Sequence, residues 1–291
     1  MDWERSKWSY LNGPKPAVPN RLSRHMEMHP MPIHLRRSVL WLLPASFAAI
    51  VLFTLSLERL RPTAAAPPPP EAPTFKTLAP GSPLPSGAQC AERLRRSMWE
   101  PRPNNRIANR TIPQALSLPD WGGVNRLANT VLKPRIDGNF RGTTDEIIQW
   151  ASCKWGFDDN LTRAMAARES WWRQSMKGDW EPDQSKCAPG YSPPCPTSFG
   201  LLQIKHYVHR GTYPHSMGST AFNVDYALGM QRVCYEGWLE YANFPKDYRA
   251  GDLWGCVGFH YSGNWKDPDA NSYIEKVQEY YQSKPWRQWE G

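Results

Sequence analysis

The sequence predicts a mainly α-helical domain with a loop-rich surface stapled by disulfide bonds, preceded by a transmembrane or signal helix. Apolar residues recur at helical spacing between residues 143 and 261, and no run of any length alternates as a half-buried β-strand would. All six cysteines follow an uncharged apolar segment at residues 38–57. An even number of cysteines in that position is typical of a domain that folds in an oxidising compartment.

The apolar segment, residues 38–57, contains twenty residues without a charge and is long enough to cross a bilayer as a helix. Residues 1–37 carry seven lysines and arginines against three acidic residues, so the positive-inside rule keeps this arm cytoplasmic and exports the rest. The alternative is the apolar core of a signal peptide cleaved after Ala65, with residues 1–37 as its basic region or partly untranslated. Both alternatives place the remaining chain outside the cytoplasm.

Residues 58–89 are rich in proline and are predicted to form an extended, semi-rigid linker. The folded domain is expected to span residues 90–291. Its first part, residues 90–140, is predicted to be a loop-rich wrapper, and no chemical role is assigned to it. A net charge of +8 suits an exported protein that meets anionic wall polymers or anionic lipid, and export disfavours nucleic acid as a partner.

The helical signals are clearest from residue 143 onwards. Thr143 and Glu146 form the capping-box pattern at the start of a helix that Gly156 ends. Further helices are predicted at residues 161–172, 222–241 and 251–261. Between the first two of these, the prolines of residues 177–199 predict a loop without regular structure.

One acidic residue, Glu169, lies on the apolar face of the second predicted helix, four residues after Met165 and three before Trp172. A carboxyl group between such neighbours is poorly hydrated, which favours the protonated form that a general acid for glycosidic cleavage needs. The alternative is a glutamate at the margin of the apolar face that pairs with Arg163 or Lys177.

Three segments stand in a characteristic order: Glu169-Ser170, then Ser198-Phe-Gly-Leu-Leu-Gln-Ile204, then Phe259-His-Tyr-Ser-Gly-Asn264. Together they resemble the motifs of the superfamily of soluble lytic transglycosylases and goose-type lysozymes, over about residues 143–265. The second motif has Leu202 where the family usually has methionine. In the third motif, Tyr261 stands where asparagine is expected.

The resemblance implies a lysozyme-like helical domain that cleaves the β-1,4-glycosidic bonds of peptidoglycan glycan strands. Glu169 would first protonate the leaving oxygen while the substrate's N-acetyl group assists, and would then act as a base on the sugar's own 6-hydroxyl. The product is a 1,6-anhydro end, formed without water and without a cofactor. The resemblance also implies a set of sugar-binding residues in the three motifs: Ser170, Ser198, Gly200, Gln203 and Tyr261.

Two other functions remain open. A lysozyme-type hydrolase of peptidoglycan would need a second carboxylate to place water, and Asp179 and Asp183 lie between the first two motifs as candidates. A non-catalytic cell-wall-binding module would need only a sugar-binding surface. Aromatic faces stack on sugar rings, which makes Trp171, Trp180 and Tyr261 candidates for such a surface, against the ordinary role of aromatic residues in a core.

Cys187 and Cys195 are predicted to form a local disulfide bond, because their separation is short and Gly190, Pro193 and Pro194 let the loop turn back. The sequence has no Cys-x-x-Cys pair, which disfavours a zinc site, and no metal or cofactor is expected. A second set of candidate metal ligands, weighed against an ordinary histidine-bearing loop, consists of His206, His209 and His215.

Overall fold

The computed structural model describes residues 67–240 and 247–290. Within these ranges the chain is mainly helical, as predicted, with a small sheet and three disulfide bonds. Residues 38–57, predicted to be a membrane-spanning or signal helix, lie outside the described ranges. Among the residues that are described, no helix combines the length and the apolar character needed to cross a bilayer.

The α-helices of the described residues are α1 (Gly87–Glu92), α2 (Thr144–Trp155), α3 (Asp159–Ser170), α4 (His215–Gly218), α5 (Thr220–Tyr235), α6 (Leu253–Ser262) and α7 (Pro268–Ser283). The strands are β1 (Lys177–Glu181), β2 (Cys195–Phe199) and β3 (Ile204–Lys205). Short 3-10 helices occur at Pro103–Asn105, Ala108–Arg110, Lys133–Arg135, Gln184–Lys186 and Pro285–Gln288, and a π-helix at Ala128–Leu132. Helix α2 packs against α5, α3 against α7, and α6 against α5 and α7.

Helices α2 and α3, both predicted, position the first motif. The Thr143 hydroxyl accepts a hydrogen bond from the N–H of Glu146, the Glu146 carboxylate accepts one from the N–H of Thr143, and left-handed Gly156 ends α2. The Asp158 carboxylate caps α3 by accepting from two N–H groups of its first turn. Helix α3 ends one residue after Glu169, so the candidate acid lies in the last helical turn.

Residues 177–199 do not form the irregular loop that their prolines predict, and that prediction is wrong. Strands β1 and β2 pair antiparallel with Lys177 opposite Phe199, and β3 lies on the other side of β2. Strand β2 is buried along its whole length, so it shows none of the alternation by which a half-buried strand is recognised. The hairpin brings Ser198 of the second motif beside Asp179.

The later helices were predicted in part. The predicted helix at residues 222–241 corresponds to α5, and the one at residues 251–261 corresponds to α6, both with shifted ends. Helix α7 was not predicted, although Asp267 caps it and Pro268 occupies its first position, which is a readable start signal. The packing of α7 against α3 matters for function because α7 carries Tyr273.

Part of the predicted linker packs against the helical domain. Phe75 is buried, and its N–H donates to the Asp159 carboxylate at 2.9 Å. The N–H of Leu78 donates to the carbonyl of Gly156 at 3.0 Å. The packed domain therefore extends at least to Phe75 rather than beginning at Cys90.

The disulfide bonds join Cys90 to Cys153, Cys187 to Cys195, and Cys234 to Cys256. The predicted Cys187–Cys195 bond is confirmed, and it ties the loop between β1 and β2 to the start of β2. The other two bonds, whose pairing spacing alone left open, tie α1 to α2 and α5 to α6.

Candidate active site

A cleft of about 380 Å³ lies between the sheet and helices α5 and α6. Its lining includes four of the residues predicted to bind or cleave a sugar: Asp179, Ser198, Gln203 and Tyr261. Other polar or aromatic residues complete the walls: Lys205, Tyr207, His209, Tyr226, Gln231, Phe259 and His260. The second and third motifs therefore meet in one place.

Glu169 lies beside this cleft, and 6% of its surface is accessible. Its Oε1 atom is 3.9 Å from Nε2 of His260, which itself lines the cleft. Arg163, an alternative partner for Glu169 in the sequence analysis, is instead buried against Asp145 and Asp159, with an N–O distance of 2.7 Å to each. The carboxyl group of Glu169 thus lies next to the cleft wall rather than in the buried ion pairs of α2 and α3.

Two tyrosines lie close to Glu169. Tyr261 and Tyr273 stack with their ring centres 4.6 Å apart. Burial, and secondly the nearby Glu169 charge, raise the pKa of each phenol above its ordinary value, so both stay neutral at physiological pH. The Tyr273 hydroxyl is buried, and no hydrogen bond of good geometry reaches it from the described part of the chain. It nevertheless lies close enough to the Glu169 carboxylate for Glu169 to raise the pKa of the phenol.

Two residues that line the cleft and two that directly follow α3 hold left-handed backbone conformations, although none of the four is glycine. Trp171 and Trp172, directly after α3, have φ angles of 51° and 60°, and Asp179 and Gln203 have 52° and 45°. Such a conformation costs an L-residue on the order of 1 kcal/mol and persists only where packing enforces it. Asp179 and Gln203 are the two of these residues whose backbone strain lies in the cleft wall.

Hydrogen bonds inside the protein hold the segment Gly200–Gln203. The Ser170 hydroxyl donates to the carbonyl of Leu201 at 2.8 Å, so the first two motifs are bonded to each other directly. The side-chain oxygens of Gln174 and Asn223 accept from two N–H groups of the segment, at 3.0 and 2.8 Å. The sequence analysis missed Gln174 and Asn223, because no local pattern marks a polar residue that reaches a distant backbone.

Besides Glu169, which lies beside the cleft, three further predicted site residues do not line it. Gly200 is buried with a φ of 84°, and a Cβ there would lie 2.2 Å from the Asn223 amide nitrogen and 2.4 Å from the Ser216 carbonyl oxygen. Its missing side chain therefore serves packing inside the protein. Ser170 is 1% exposed and donates to backbone carbonyls. Asp183 is exposed and caps the short helix Gln184–Lys186.

The candidate stacking residues are also separated. Tyr261 lines the cleft, whereas Trp171 packs against Tyr280 and Trp289. Trp180 is 49% exposed on β1 and is not part of the lining.

Asp179 and Ser198 form a polar wall of the cleft. The Ser198 hydroxyl donates to Asp179 Oδ2 at 2.5 Å, and Lys205 Nζ lies 3.1 Å from the same oxygen. The Gln203 amide donates to the carbonyl of Gly200 at 2.8 Å. A Cβ at position 178 would lie 2.3 Å from the Gln203 side-chain oxygen, so Gly178 makes room for this amide. These polar groups are held in fixed positions from which they can bind hydroxyl and amide groups of a ligand.

His209 and Tyr226 contribute a second polar wall that the sequence analysis missed as part of the site. His209 Nδ1 is 3.2 Å from the Tyr226 hydroxyl. Burial, followed by the charges of His260 and Lys205, lowers the pKa of His209 to about 4. The His209 ring is packed among protein groups, and only part of its surface is reached from the cleft. With a pKa of about 4, the ring is neutral at pH 7.

The three histidines considered as metal ligands do not come together. His206 Nε2 contacts the carbonyl of Lys186 at 2.7 Å, and His209 faces Tyr226. The ring of His215 packs instead against Phe222. In residues 67–240 and 247–290, no group of three or more His, Cys, Asp or Glu side chains is arranged to hold a metal ion.

Comparison with known proteins adds no relative: no family model, no curated protein and no solved structure matches the chain. The three motifs and the geometry of the cleft are therefore the features that point to a function.

Proposed function

We propose that this protein cleaves the β-1,4-glycosidic bond of peptidoglycan as a lytic transglycosylase, with Glu169 as acid and then base. The observation that carries the proposal is the convergence of three motifs that lie far apart in the chain. Glu169 is 3.9 Å from His260 of the third motif, and Ser170 is bonded to Leu201 of the second. Three unrelated chance matches would have no reason to converge on one cleft.

The position of Glu169 suits a general acid. Its carboxyl group is nearly buried, it lies beside a cleft, and an imidazole nitrogen of His260 is 3.9 Å away. In the first step Glu169 gives its proton to the glycosidic oxygen, while the carbonyl oxygen of the substrate's N-acetyl group attacks the anomeric carbon. In the second step the carboxylate takes the proton of the 6-hydroxyl, which closes the 1,6-anhydro ring as the N-acetyl oxygen leaves. Glu169 ends protonated, and no water is consumed.

Substrate contacts in this proposal come from Ser198, Gln203 and Tyr261, because these residues line the cleft. A neutral Tyr261 phenol can donate a hydrogen bond to a sugar oxygen where the resembling family has an asparagine. Ser170 and Gly200 act indirectly, by holding the backbone that carries Gln203.

The proposal also places the domain outside the cytoplasm, where peptidoglycan lies. The three disulfide bonds support this placement, because disulfides persist in oxidising compartments. The tether or signal proposed at residues 38–57 would deliver the domain there.

Hydrolysis is a second candidate function, and one observation favours it. Asp179 lines the same cleft and is held there by Ser198 and Lys205. A second carboxylate in that position could place a water molecule for attack on the sugar. Asp183, the other candidate, is exposed and lies outside the cleft lining.

The products distinguish these functions. Purified peptidoglycan is digested with the full-length protein, and the released muropeptides are weighed by mass spectrometry. The proposal expects 1,6-anhydro ends, each one water lighter than a reducing end, and expects Asp179→Asn to leave that product unchanged. Reducing ends that disappear in Asp179→Asn would transfer the assignment to hydrolysis. Glycan strands that are bound but remain uncut would identify a non-catalytic binding module.

A further inference from the structure

A second surface of the domain is strongly basic and lies outside the cleft. A shallow depression of about 1080 Å³ is lined by residues of the 90–140 region together with the start of α2. Four arginines contribute to its lining, and we name it the arginine depression: Arg96, Arg106, Arg110 and Arg141. None of these residues is used by the proposed reaction.

The positive charge of the arginine depression is only partly compensated. Arg96 lies 3.8 Å from Glu146, and Arg141 donates to the backbone carbonyl of Arg110. In the described part of the chain, the guanidinium groups of Arg106 and Arg110 have no hydrogen-bond or ion-pair partner. Arg106 and Arg110 are exposed, and the hydrogen-bond partner of Arg141 is a neutral carbonyl group. The depression therefore keeps a positive charge that attracts anions.

The two acidic residues in the lining face into the protein. Glu146 is 7% exposed and accepts hydrogen bonds from the backbone N–H groups of Thr143 and Ser97. Glu100 is also 7% exposed, and burial raises the pKa of its carboxyl group even though neighbouring donors oppose the shift. Neither glutamate places a free negative charge at the surface.

Exposed apolar side chains accompany the arginines. Met98 lines the depression and is 87% exposed, and Ile107, which follows Arg106 in the chain, is 83% exposed. These are the highest exposures among the large hydrophobic residues of the described ranges. An acidic sugar or phosphate polymer would account for the arginines but offers nothing to an exposed methionine and isoleucine. An anionic bilayer accounts for both, because it has a charged surface above an apolar layer.

We propose that the arginine depression docks the domain on the surface of an anionic lipid bilayer, with the arginines at the headgroups and Met98 in the interfacial layer. The contact is independent of residues 38–57 and of the catalytic proposal. It would hold a defined face of the domain against the membrane and leave the cleft residues outside the contact.

Local hydrogen exchange in the full-length chain tests this contact, because it reports on the depression even where the N-terminal residues also bind lipid. The full chain is mixed with vesicles of phosphatidylglycerol or of phosphatidylcholine, and exchange is followed by mass spectrometry. Amides of residues 96–110 should exchange more slowly with phosphatidylglycerol only. Arg106→Gln with Arg110→Gln should raise the lipid concentration for half-protection about 30-fold, because each basic side chain at an anionic surface strengthens binding about five-fold.

Two further variants sharpen the result. Met98→Ser should reduce protection by vesicles, and the exposure of Met98 means that the fold should tolerate it. The matched control, Lys76→Gln with Arg126→Gln, removes two exposed charges that do not line the depression and should leave protection unchanged. Equal exchange with the two lipids would overturn the proposal. So would protection by soluble inorganic polyphosphate without protection by vesicles, because the depression would then bind polyanions in solution.

Discussion

Two glutamates of this protein are equally buried but have different surroundings. Glu169 is 6% exposed and Glu100 is 7% exposed. Glu100 accepts hydrogen bonds from the N–H of Thr144 at 2.8 Å, from the Asn109 amide at 2.8 Å and from the N–H of Arg102 at 3.0 Å. All of these donors are neutral and fixed in position, and none of them can take up a proton.

Glu169 has an imidazole and two phenols as neighbours. His260 Nε2 lies 3.9 Å from its carboxylate, and the phenols of Tyr261 and Tyr273 are close enough for the carboxylate to raise their pKa values. The comparison teaches that burial alone does not distinguish a catalytic carboxyl group from a structural one. The neighbours distinguish them: fixed neutral donors surround Glu100, whereas a histidine that lines a cleft lies beside Glu169 and makes it a candidate for chemistry.

The largest effect is expected on cleavage activity, which should be lost when Glu169 is replaced but not when Glu100 is replaced. Glu169→Gln removes the proton donor and the later base while keeping the shape of the side chain, so the rate of muropeptide release should fall about 10³-fold. Thermal unfolding should show that the variant remains folded. Glu100→Gln is the matched control and should keep most of the activity of the wild type. If both variants lose activity equally, the two glutamates do not differ in role.

The second effect is a loss of stability when Glu100 is replaced. An amide at this position turns one acceptor into a donor that faces other donors, so Glu100→Gln should lower the free energy of unfolding by about 1–3 kcal/mol. Urea unfolding with the disulfide bonds intact measures this difference. Glu169→Gln, measured in parallel, should change stability less.

The stability difference should also depend on pH. Burial raises the pKa of Glu100 above its ordinary value of 4.5, so the folded state holds this proton more tightly than the unfolded state. The contribution of Glu100 to stability is therefore fully present below pH 4.5 and is lost as the pH rises through the raised pKa. The stability deficit of Glu100→Gln should be largest below pH 4.5 and smaller at pH 7. A deficit that widens with rising pH would show that the sign of the shift is wrong.

The smallest effect tests the neighbours instead of the glutamates. His260→Gln removes a group that can carry charge about 4 Å from Glu169, and an interaction at that distance is worth on the order of 1–4 kcal/mol. We expect the cleavage rate to change about 10-fold and the shape of its pH profile to change with it. Thr144→Val removes a neutral neighbour of Glu100 and should cost about 1–2 kcal/mol of stability without altering the pH profile. If His260→Gln and Thr144→Val have identical pH profiles of cleavage, the neighbours of Glu169 and of Glu100 do not differ in their effect on activity.

Local signals in the sequence predicted the elements that carry the first motif. The capping box at Thr143 and Glu146, the glycine at position 156 and the apolar face that includes Met165 act within a few residues of each other, so they can be recognised without the fold. The Cys187–Cys195 bond was predictable for the same reason. The ordered motifs also named Ser198, Gln203 and Tyr261, which line one cleft although up to 63 positions separate them, and the candidate second carboxylate Asp179 lines it too.

Tertiary packing, and not spacing in the chain, places the motif residues inside or outside the cleft. The sequence predicts that Gly200 contacts a sugar. Its φ of 84° and the nearness of Asn223 show instead that the missing side chain makes room for packing inside the protein. Strand β2 escaped prediction because burial on both faces erases alternation. His209, Tyr273 and Tyr226 reach the neighbourhood of Glu169 or the cleft from separate elements, through contacts that no local spacing encodes. The sequence determined that α2 begins after Thr143 and that Glu169 lies on an apolar helix face, because both properties depend on residues nearby in the chain. Which groups surround that carboxyl is a property of packing, and packing follows from the whole chain.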